Sequence, residues 1–192
     1  MQFINLTDAE LVHAYQQGHE QALSVLINRH KDKVYTTLFM LVKDKYLAED
    51  LFQDTFLKIV KTIKDGRYSE QGKFLPWAVR VARNLCMDHF RRTKMQVAVT
   101  LPDGQDISTL MGTSELASDG LERRQVHECV RKMVEDLPDE QREVIVLRVY
   151  ADLSFKEISD LTGVSINTAL GRMRYALINL RKVVADKQLV LR

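Results

Sequence analysis

The sequence predicts an all-α protein of two small helical domains joined by a flexible acidic linker. Only 3 prolines and 8 glycines occur in 192 residues, so helix breakers are rare. Apolar residues recur at spacings of three and four, the period of an amphipathic helix. The exception is residues 95–120, which lack sustained helical periodicity and contain Pro102 and three of the glycines. These observations place a linker between two helical halves.

Composition describes a globular chain with no membrane span. Apolar residues make up 45% of it, enough to bury a core. The longest stretch without Asp, Glu, Lys or Arg runs for eleven residues, from Leu161 to Gly171, and a membrane helix needs about 20 apolar residues. The first eight residues do not resemble a signal peptide. We therefore expect a cytoplasmic protein without membrane association.

Neither the charge balance nor the cysteines and histidines identify a chemistry. Lys and Arg number 28 against 26 acids, and this net charge of +2 is too small to imply nucleic acid by itself. Cys86 and Cys129 lie 43 positions apart and are expected to be reduced thiols. The five histidines show no metal-ligand spacing. Glycine-rich phosphate loops and nucleophile elbows are also absent, so we expect no metal and no cofactor.

The first predicted domain covers residues 1–94. Thr7 and Glu10 form a capping box, and apolar residues follow at helical spacing. A further amphipathic run covers 34–42. Two longer helices are expected at about 48–64 and 74–94, with a loop at 65–72 between them.

The linker and the second domain follow. Residues 95–120 contain four acids and no Lys or Arg, a net charge of −4. The second domain, 121–192, contains Pro138, which is expected to open a helix. The apolar run 144–147 is compatible with a buried strand, but helix formers flank it and no partner strand exists, so helix is favoured.

The helix at 48–64 has one apolar side and one acidic side. Leu51, Phe52, Phe56, Ile59, Val60 and Ile63 are predicted to form its core side. The opposite side, here called the acidic face, consists of Glu49, Asp50, Gln53, Asp54 and Leu57. Acids on a solvated face are the simpler explanation. However, an apolar residue among acids is also what a protein-docking patch requires.

The helix at 74–94 has a core stripe and a basic stripe. Phe74, Ala78, Val81 and Leu85 are predicted to be core. The residues here called the basic stripe are Trp77, Arg80, Arg83, Asn84, Met87, Arg91 and Arg92. Guanidinium groups neutralise phosphates, and Trp, Asn and Met can stack on or hydrogen-bond to an exposed base. The alternatives are nucleic-acid binding and a solvated basic helix end with Trp77 in the core.

The segment 153–168 has the punctuation of a helix-turn-helix. Ser154 and Glu157 form a capping box, Gly163 can end the helix in a left-handed conformation, and Ser165 can cap a second helix. The residues of the second helix expected to face inward are Ile166, Ala169, Met173, Ala176, Leu177 and Leu180. Those expected on or near the outer side are Asn167, Thr168, Gly171, Arg172, Arg174 and Tyr175. Such a helix can read base edges in the major groove, although a purely structural helix corner has the same punctuation.

The order of these features resembles bacterial sigma factors of the extracytoplasmic-function (ECF) class. The similarity is found in AEDLFQDTFLKIVKTI (48–63), FLPWAVRVARNLCMDHFRR (74–92) and LPDEQREVIVLRVYADLSFKEISDLTGVSINTALGRMRYALINLRK (137–182). The family has two helical domains, sigma-2 and sigma-4, which the resemblance assigns to 1–94 and 121–192.

The resemblance implies roles for the first domain. Glu49, Asp50, Gln53 and Asp54 match the segment that docks on the β′ clamp helices of core RNA polymerase, and Leu57 lies on the same face. The 74–92 helix and the loop before it match the part that melts and reads the −10 element on the non-template strand. Asn84 occupies the position that contacts an extruded base.

The second domain is implied to read the −35 element with the helix that begins at Ser165. The residues expected at this DNA are Lys156, Ser165, Asn167, Thr168, Arg172, Arg174 and Tyr175. The sequence departs from the usual family pattern where Leu170 replaces a Lys and Tyr175 an Arg. Fewer cations imply weaker phosphate anchoring or contacts through Arg174 and Lys156. The −35 sequence of other members therefore does not transfer.

The implied partners are core RNA polymerase, through its β′ clamp helices and β flap, and promoter DNA. The linker matches a segment that threads the polymerase channel near the RNA exit. The family also suggests an anti-sigma factor, although no residue identifies one, and the free protein is expected to be a monomer. The role implied by the resemblance is not enzymatic, since catalysis belongs to the polymerase. Two rival functions are a stand-alone helix-turn-helix regulator and a helical nucleic-acid enzyme. The enzyme would need a third ligand or a His beside Asp50 and Asp54.

Overall fold

The structure, a computed structural model, describes residues 3–69, 72–100 and 121–186. Within these ranges the regular structure is helical and contains no strand, which confirms the all-α prediction. The chain forms two helical domains, and its contacts divide it into the units Met1–Met111 and Gly112–Arg192. Most of the predicted linker, residues 101–120, lies outside the described part.

Four helices build the described part of the first unit. They are α1 (Asp8–Gln16), α2 (Glu20–Val42), α3 (Lys45–Lys64) and α4 (Phe74–Thr100). The predicted capping box begins α1: the Glu10 amide donates to Thr7 Oγ1 over 3.3 Å, and the Thr7 amide donates to Glu10 Oε2 over 2.7 Å. Because both orphan amides find acceptors, the helix starts where the sequence indicated.

A break between α1 and α2 was not predicted from the periodicity. Gly18 has a φ of 96°, a conformation in which side-chain-bearing residues are strained, and it separates the two helices. The remainder of the predicted apolar pattern, including 34–42, belongs to one continuous helix, α2.

The core of the first unit lies where α1, α3 and α4 pack on α2. Its largest fully buried side chains are Leu11, Leu26, Leu38, Met40, Ile59, Ile63 and Phe74. Polar contacts hold the start of α1 and the residues before it against α2. Arg29 donates to Asp8 over 2.6 Å and to the Leu6 carbonyl over 2.8 Å, and His30 pairs with Asp8 at 2.7 Å.

The buried stripe of α4 differs from the prediction. Phe74 and Ala78 are buried as expected, but Val81 and Leu85 are half-exposed. Their places in the core are taken by Val79, Ala82 and Cys86. The sequence prediction favoured larger apolar residues, whereas the small side chains of Ala78, Ala82 and Cys86 face the neighbouring helices.

Both helices of the predicted pair are longer than expected. Helix α3 begins at Lys45 rather than near Ala48, because Asp44 accepts a hydrogen bond from the Leu47 amide over 2.8 Å and caps the helix. Helix α4 continues to Thr100 rather than ending at Lys94. No glycine or proline occurs in 95–100, and the first breaker is Pro102.

Between residues 121 and 186, four helices and a π-helical turn build the second unit. They are α5 (Leu121–Glu135), α6 (Asp139–Ile145), the π-helical turn Val146–Tyr150, α7 (Phe155–Thr162) and α8 (Ile166–Asp186). Pro138 stands at the N-cap of α6, with Asp139 and Glu140 in the first turn. The apolar run 144–147 is helical, as favoured, and fully buried. Arg142, also buried, donates to the Leu137 carbonyl over 3.3 Å and pairs with Asp139 at 2.7 Å.

Two side chains predicted to face inward on α8 are exposed. Ile166 is 43% and Leu177 38% exposed, and the fully buried residues of α8 are Ala169 and Ala176. Met173 and Leu180, also predicted to face inward, are half-buried. No helix among the described residues is long and apolar enough to span a bilayer.

Candidate nucleic-acid and protein interfaces

Apolar packing holds α3 with its acidic face outward. Leu51, Phe56, Ile59 and Ile63 are buried, as predicted, and Phe52 and Val60 are half-buried. The Phe52 ring packs edge-on against Phe56, with 4.8 Å between centroids, and against Tyr35 of α2, at 5.8 Å. This packing leaves the opposite side of the helix to solvent.

The acidic face is exposed at four of its five positions. Asp50, Gln53 and Asp54 are exposed, and Leu57 is 68% exposed. Glu49 is the exception, since it is half-buried at the edge toward α2. Burial raises the pKa of the Tyr35 hydroxyl, and the negative charge of Glu49 raises it further. The structure thus leaves an apolar side chain in water among carboxylates.

The basic stripe of α4 faces away from the helices that α4 packs on. Arg80, Asn84, Arg91 and Arg92 are exposed, and Trp77, Arg83 and Met87 are half-exposed. Residues 73–94, from the residue before α4 to Lys94, include six basic residues and one acid. Arg91 donates to that acid, Asp88, over 3.0 Å in an exposed pair, which adds little stability in water. The Arg91 guanidinium is therefore held along the helix surface but remains accessible.

Trp77 belongs to an aromatic cluster that the sequence did not reveal. Its ring lies 4.0 Å from that of Tyr68, with 30° between the planes, and 5.8 Å from that of Phe74. Tyr68 is buried and comes from the segment before α4. Trp77 is therefore neither wholly in the core nor wholly on the DNA-facing stripe. Its indole packs on Tyr68 and Phe74, and part of the ring stays exposed at the edge of the basic stripe. The only sequence feature that could have indicated this cluster is Tyr68, a single aromatic residue in the polar 65–72 loop.

The turn between α7 and α8 has the geometry that the sequence predicted. Ser154 and Glu157 form the capping box of α7. Gly163 ends α7 with a φ of 72°, and its amide donates to the Ser159 carbonyl over 2.9 Å. The Ser159 hydroxyl donates to the Val164 carbonyl over 2.6 Å. This network fixes the angle at which the second helix leaves the first.

The predicted −35 residues are not equally accessible. Lys156, Asn167, Thr168, Arg174 and Tyr175 are exposed, whereas Arg172 is half-buried. Ser165 is exposed, but its Oγ accepts a hydrogen bond from the Thr168 amide over 3.1 Å. Its hydroxyl therefore caps α8, and the exposed start of that helix is formed by its neighbours.

An apolar groove of about 430 Å³ runs beside the outer face of α8. It is lined by Phe155, Leu170, Met173, Arg174, Leu177, Ile178 and Arg181. Leu170 forms part of the lining of this groove. Its side chain is exposed, so it adds apolar surface to α8 at this point.

The described side chains contain no cluster of three or more His, Cys, Asp or Glu residues that could hold a metal ion. Asp50 and Asp54 are therefore not part of such a cluster. Among the described residues, charged and hydrogen-bonding groups are exposed on three helical surfaces: the acidic face of α3, the basic stripe of α4 and the outer side of α8.

Two family models match the chain. Sigma-70 region 2 matches residues 26–95, which include α3 and most of α4, and Sigma-70, region 4 matches residues 127–175, which include the helix-turn-helix. The matched segments therefore contain the acidic face, the basic stripe and the predicted −35 residues of α7 and α8.

Two relatives from Bacillus subtilis strain 168 align with most of the chain. The ECF RNA polymerase sigma factor SigM is 32% identical over 136 residues, covering 71% of this chain and 78% of the relative. The ECF RNA polymerase sigma factor SigW is 26% identical over 176 residues, covering 89% and 93%. Both alignments extend well beyond any single motif.

Solved structures share the fold. The sigma factor RpoE, solved in complex with the anti-sigma factor NepR from Bartonella quintana, has a TM-score of 0.66 and 20% identity to this chain. The match covers 83% of this chain and 94% of that one. At this identity the likeness concerns the fold.

Proposed function

This chain belongs to the extracytoplasmic-function (ECF) sigma factors of bacterial RNA polymerase, and we propose that three helical surfaces divide its work. A sigma factor directs promoter-specific transcription initiation. In this protein the acidic face of α3 docks on the β′ clamp helices of core polymerase. The basic stripe of α4 contacts the melted −10 element, and α8 contacts the −35 element.

The observation on which the proposal rests is the orientation of α4. Its small residues Ala78, Ala82 and Cys86 are buried against the domain, while Arg80, Asn84 and Arg91 remain accessible. Had these three polar side chains been packed inside the domain, no surface for unpaired DNA would exist. Their exposure supports a role in contacting a ligand.

The chemistry of this stripe suits a melted strand. Each arginine that engages a phosphate releases counterions, which favours binding without regard to base sequence. The Asn84 amide has both a donor and an acceptor and can hydrogen-bond an unpaired base edge. Extruding a base costs a few kcal/mol. Stacking on the part of the Trp77 ring that stays accessible would offset part of this cost, because base–aromatic stacking contributes about 1–3 kcal/mol.

On the second domain, the exposed start of α8 is the element proposed to enter the major groove at −35. Asn167 and Thr168 lie in its first turn, where a recognition helix contacts bases. Lys156, Arg172, Arg174 and Tyr175 flank this point and are proposed to contact the backbone. Each domain alone can bind weakly, since tethering both to one polymerase raises their effective concentration at the promoter.

Further partners are proposed from the family. The second domain is proposed to contact the β flap of polymerase, and an anti-sigma factor is proposed as the regulator of the free protein. The solved structure of a similar fold with an anti-sigma factor supports this second proposal. A sigma factor is a DNA-binding initiation factor and is not itself an enzyme. On this proposal RNA synthesis is catalysed by the polymerase.

Run-off transcription with purified core polymerase tests the proposal. Added protein should yield products with defined start sites from genomic templates, and core alone should not. The alternative, a stand-alone helix-turn-helix regulator, predicts stable binding to duplex DNA without polymerase and no product on any template. That alternative also leaves the exposed stripe of α4 without a role.

A further inference from the structure

The first turn of α3 adds an exposed tyrosine to the acidic face. Because Asp44 caps the helix, α3 begins at Lys45 and Tyr46 is helical. The helix start expected from the sequence, near Ala48, left this residue outside the face. The Tyr46 side chain is 74% exposed.

Tyr46 and Leu57 lie on the same side of α3. They are eleven residues apart, which is about three turns and about 16 Å along the helix axis. Gln53 lies between them on the same line, and Asp50 and Asp54 lie beside it. The surface is therefore a straight strip with an apolar side chain near each end and carboxylates between.

Tyr46 has no visible role in the fold. Other tyrosines of this unit support the core: Tyr15 and Tyr68 are buried, and the half-buried Tyr35 packs against Phe39 and Phe52. The ring of Tyr46 is instead exposed to water, and so is the isobutyl group of Leu57. Tyrosine is among the residues enriched at protein interfaces and among binding hot spots.

We infer that Tyr46 is a second apolar anchor for core polymerase on α3. This inference rests on the proposed docking role of the acidic face. The carboxylates are complementary to a basic partner surface. Two anchors three turns apart on one helix fit a partner that runs alongside that helix. The occupant is thus a helix of core polymerase with basic residues, one of which packs on the Tyr46 ring.

Equilibrium binding of the full-length protein to purified core polymerase tests the inference. Tyr46→Ala should raise the Kd about tenfold, as expected for loss of an aromatic anchor. Tyr46→Phe should stay within about twofold of wild type, because it retains the ring. Lys58→Ala removes an exposed side chain from another side of α3 and is the matched control, also expected within about twofold. Thermal melting of each variant verifies the fold.

Leu57→Ala and the double variant separate this inference from the docking role itself. If Leu57→Ala weakens binding but Tyr46→Ala does not, the acidic face docks and the Tyr46 anchor is wrong. If neither changes the Kd, the docking role fails together with the inference. A loss in Tyr46→Phe as large as in Tyr46→Ala would also overturn the ring contact. Two separate anchors predict that the effects multiply in the double variant.

Discussion

Asn84 is the residue whose chemistry most directly separates DNA melting from DNA binding. Its amide is exposed between arginines on α4, and duplex DNA hides the base edge that it is proposed to contact. Asn84→Ala should therefore reduce open-complex formation more than closed-complex binding. Permanganate reactivity of unpaired thymines measures the first, and electrophoretic mobility shift at low temperature measures the second.

Asn167→Ala provides the matched control for that experiment. It removes the same amide group from the start of α8, which is proposed to contact duplex DNA. This variant should weaken closed-complex binding, with opening reduced only in proportion. If Asn84→Ala lowers both steps equally, Asn84 does not contact a melted base.

Tyr150 makes stability depend on pH in the alkaline range. Burial raises its pKa above the ordinary value of 10.0, and Glu135 raises it further, against an opposing effect of Arg131. The unfolded chain therefore releases this proton first. The contribution of Tyr150 to stability is constant below about pH 10. It is lost as the pH rises through the higher folded-state pKa.

Tyr150→Phe should flatten that decline. Melting temperatures of wild type and variant, measured from pH 9 to the alkaline limit of reversibility, give the two slopes. Tyr35→Phe should have the same effect, since burial and Glu49 raise the pKa of Tyr35 in the same direction. Identical slopes in wild type and both variants would contradict this account.

At the scale of elements, the turn between α7 and α8 depends on the backbone of Gly163. Nothing lies within 4 Å of a Cβ added there, but its φ is 72°. A side chain would be strained by the backbone and not by a clash, at a cost of about 1–2 kcal/mol. Gly163→Ala should lower the unfolding free energy of the second domain by about that amount in urea denaturation.

Gly171→Ala is the control within the same motif. Gly171 is inside α8, has no unusual φ, and likewise has nothing within 4 Å of an added Cβ. Alanine there should stabilise α8 by up to about 1 kcal/mol, because glycine is a poor helix former. Opposite signs for two identical substitutions would confirm that conformation decides the effect. Equal destabilisation would refute it.

The groove beside α8 places Leu170 on an apolar surface. Leu170, Met173 and Leu177 line the groove together with Phe155 of α7. The apolar side chain at position 170 extends this surface along the helix that is proposed to bind DNA. The helix therefore combines an exposed polar start with an apolar flank.

At the scale of the whole molecule, a net charge of +2 conceals large local differences. The acidic face of α3 and the basic stripe of α4 lie on two helices of one domain, and residues 95–120 add a net charge of −4. Surfaces of opposite sign suit a protein that binds both a basic protein surface and a polyanion. Overall charge would not have revealed either.

Reversing the acidic face should separate polymerase binding from folding. Asp50→Lys combined with Leu57→Asp replaces two exposed side chains and is expected to abolish core binding while the melting temperature stays close to wild type. Co-migration with core polymerase in size-exclusion chromatography measures binding. Unchanged co-migration would remove the docking role of α3.

The sequence by itself determined the fold class, the two capping boxes, the helix-turn-helix and the exposure of Asp50, Leu57, Arg80 and Asn84. These features follow from local rules: a cap depends on residues three positions apart, and an amphipathic face on the period of one helix. Local rules also explain why the start of α8 could be predicted from Ser165.

Only the tertiary structure decided which apolar residues are core and which aromatic residues meet. The buried stripe of α4 uses Ala82 and Cys86 rather than Val81 and Leu85, because close helix packing selects small side chains that hydrophobicity ranks low. The Trp77 ring contacts Tyr68 because Tyr68, which precedes α4 in the chain, packs on that helix. The start of α3 at Lys45 depends on the single cap of Asp44, and that start determines whether Tyr46 joins the acidic face.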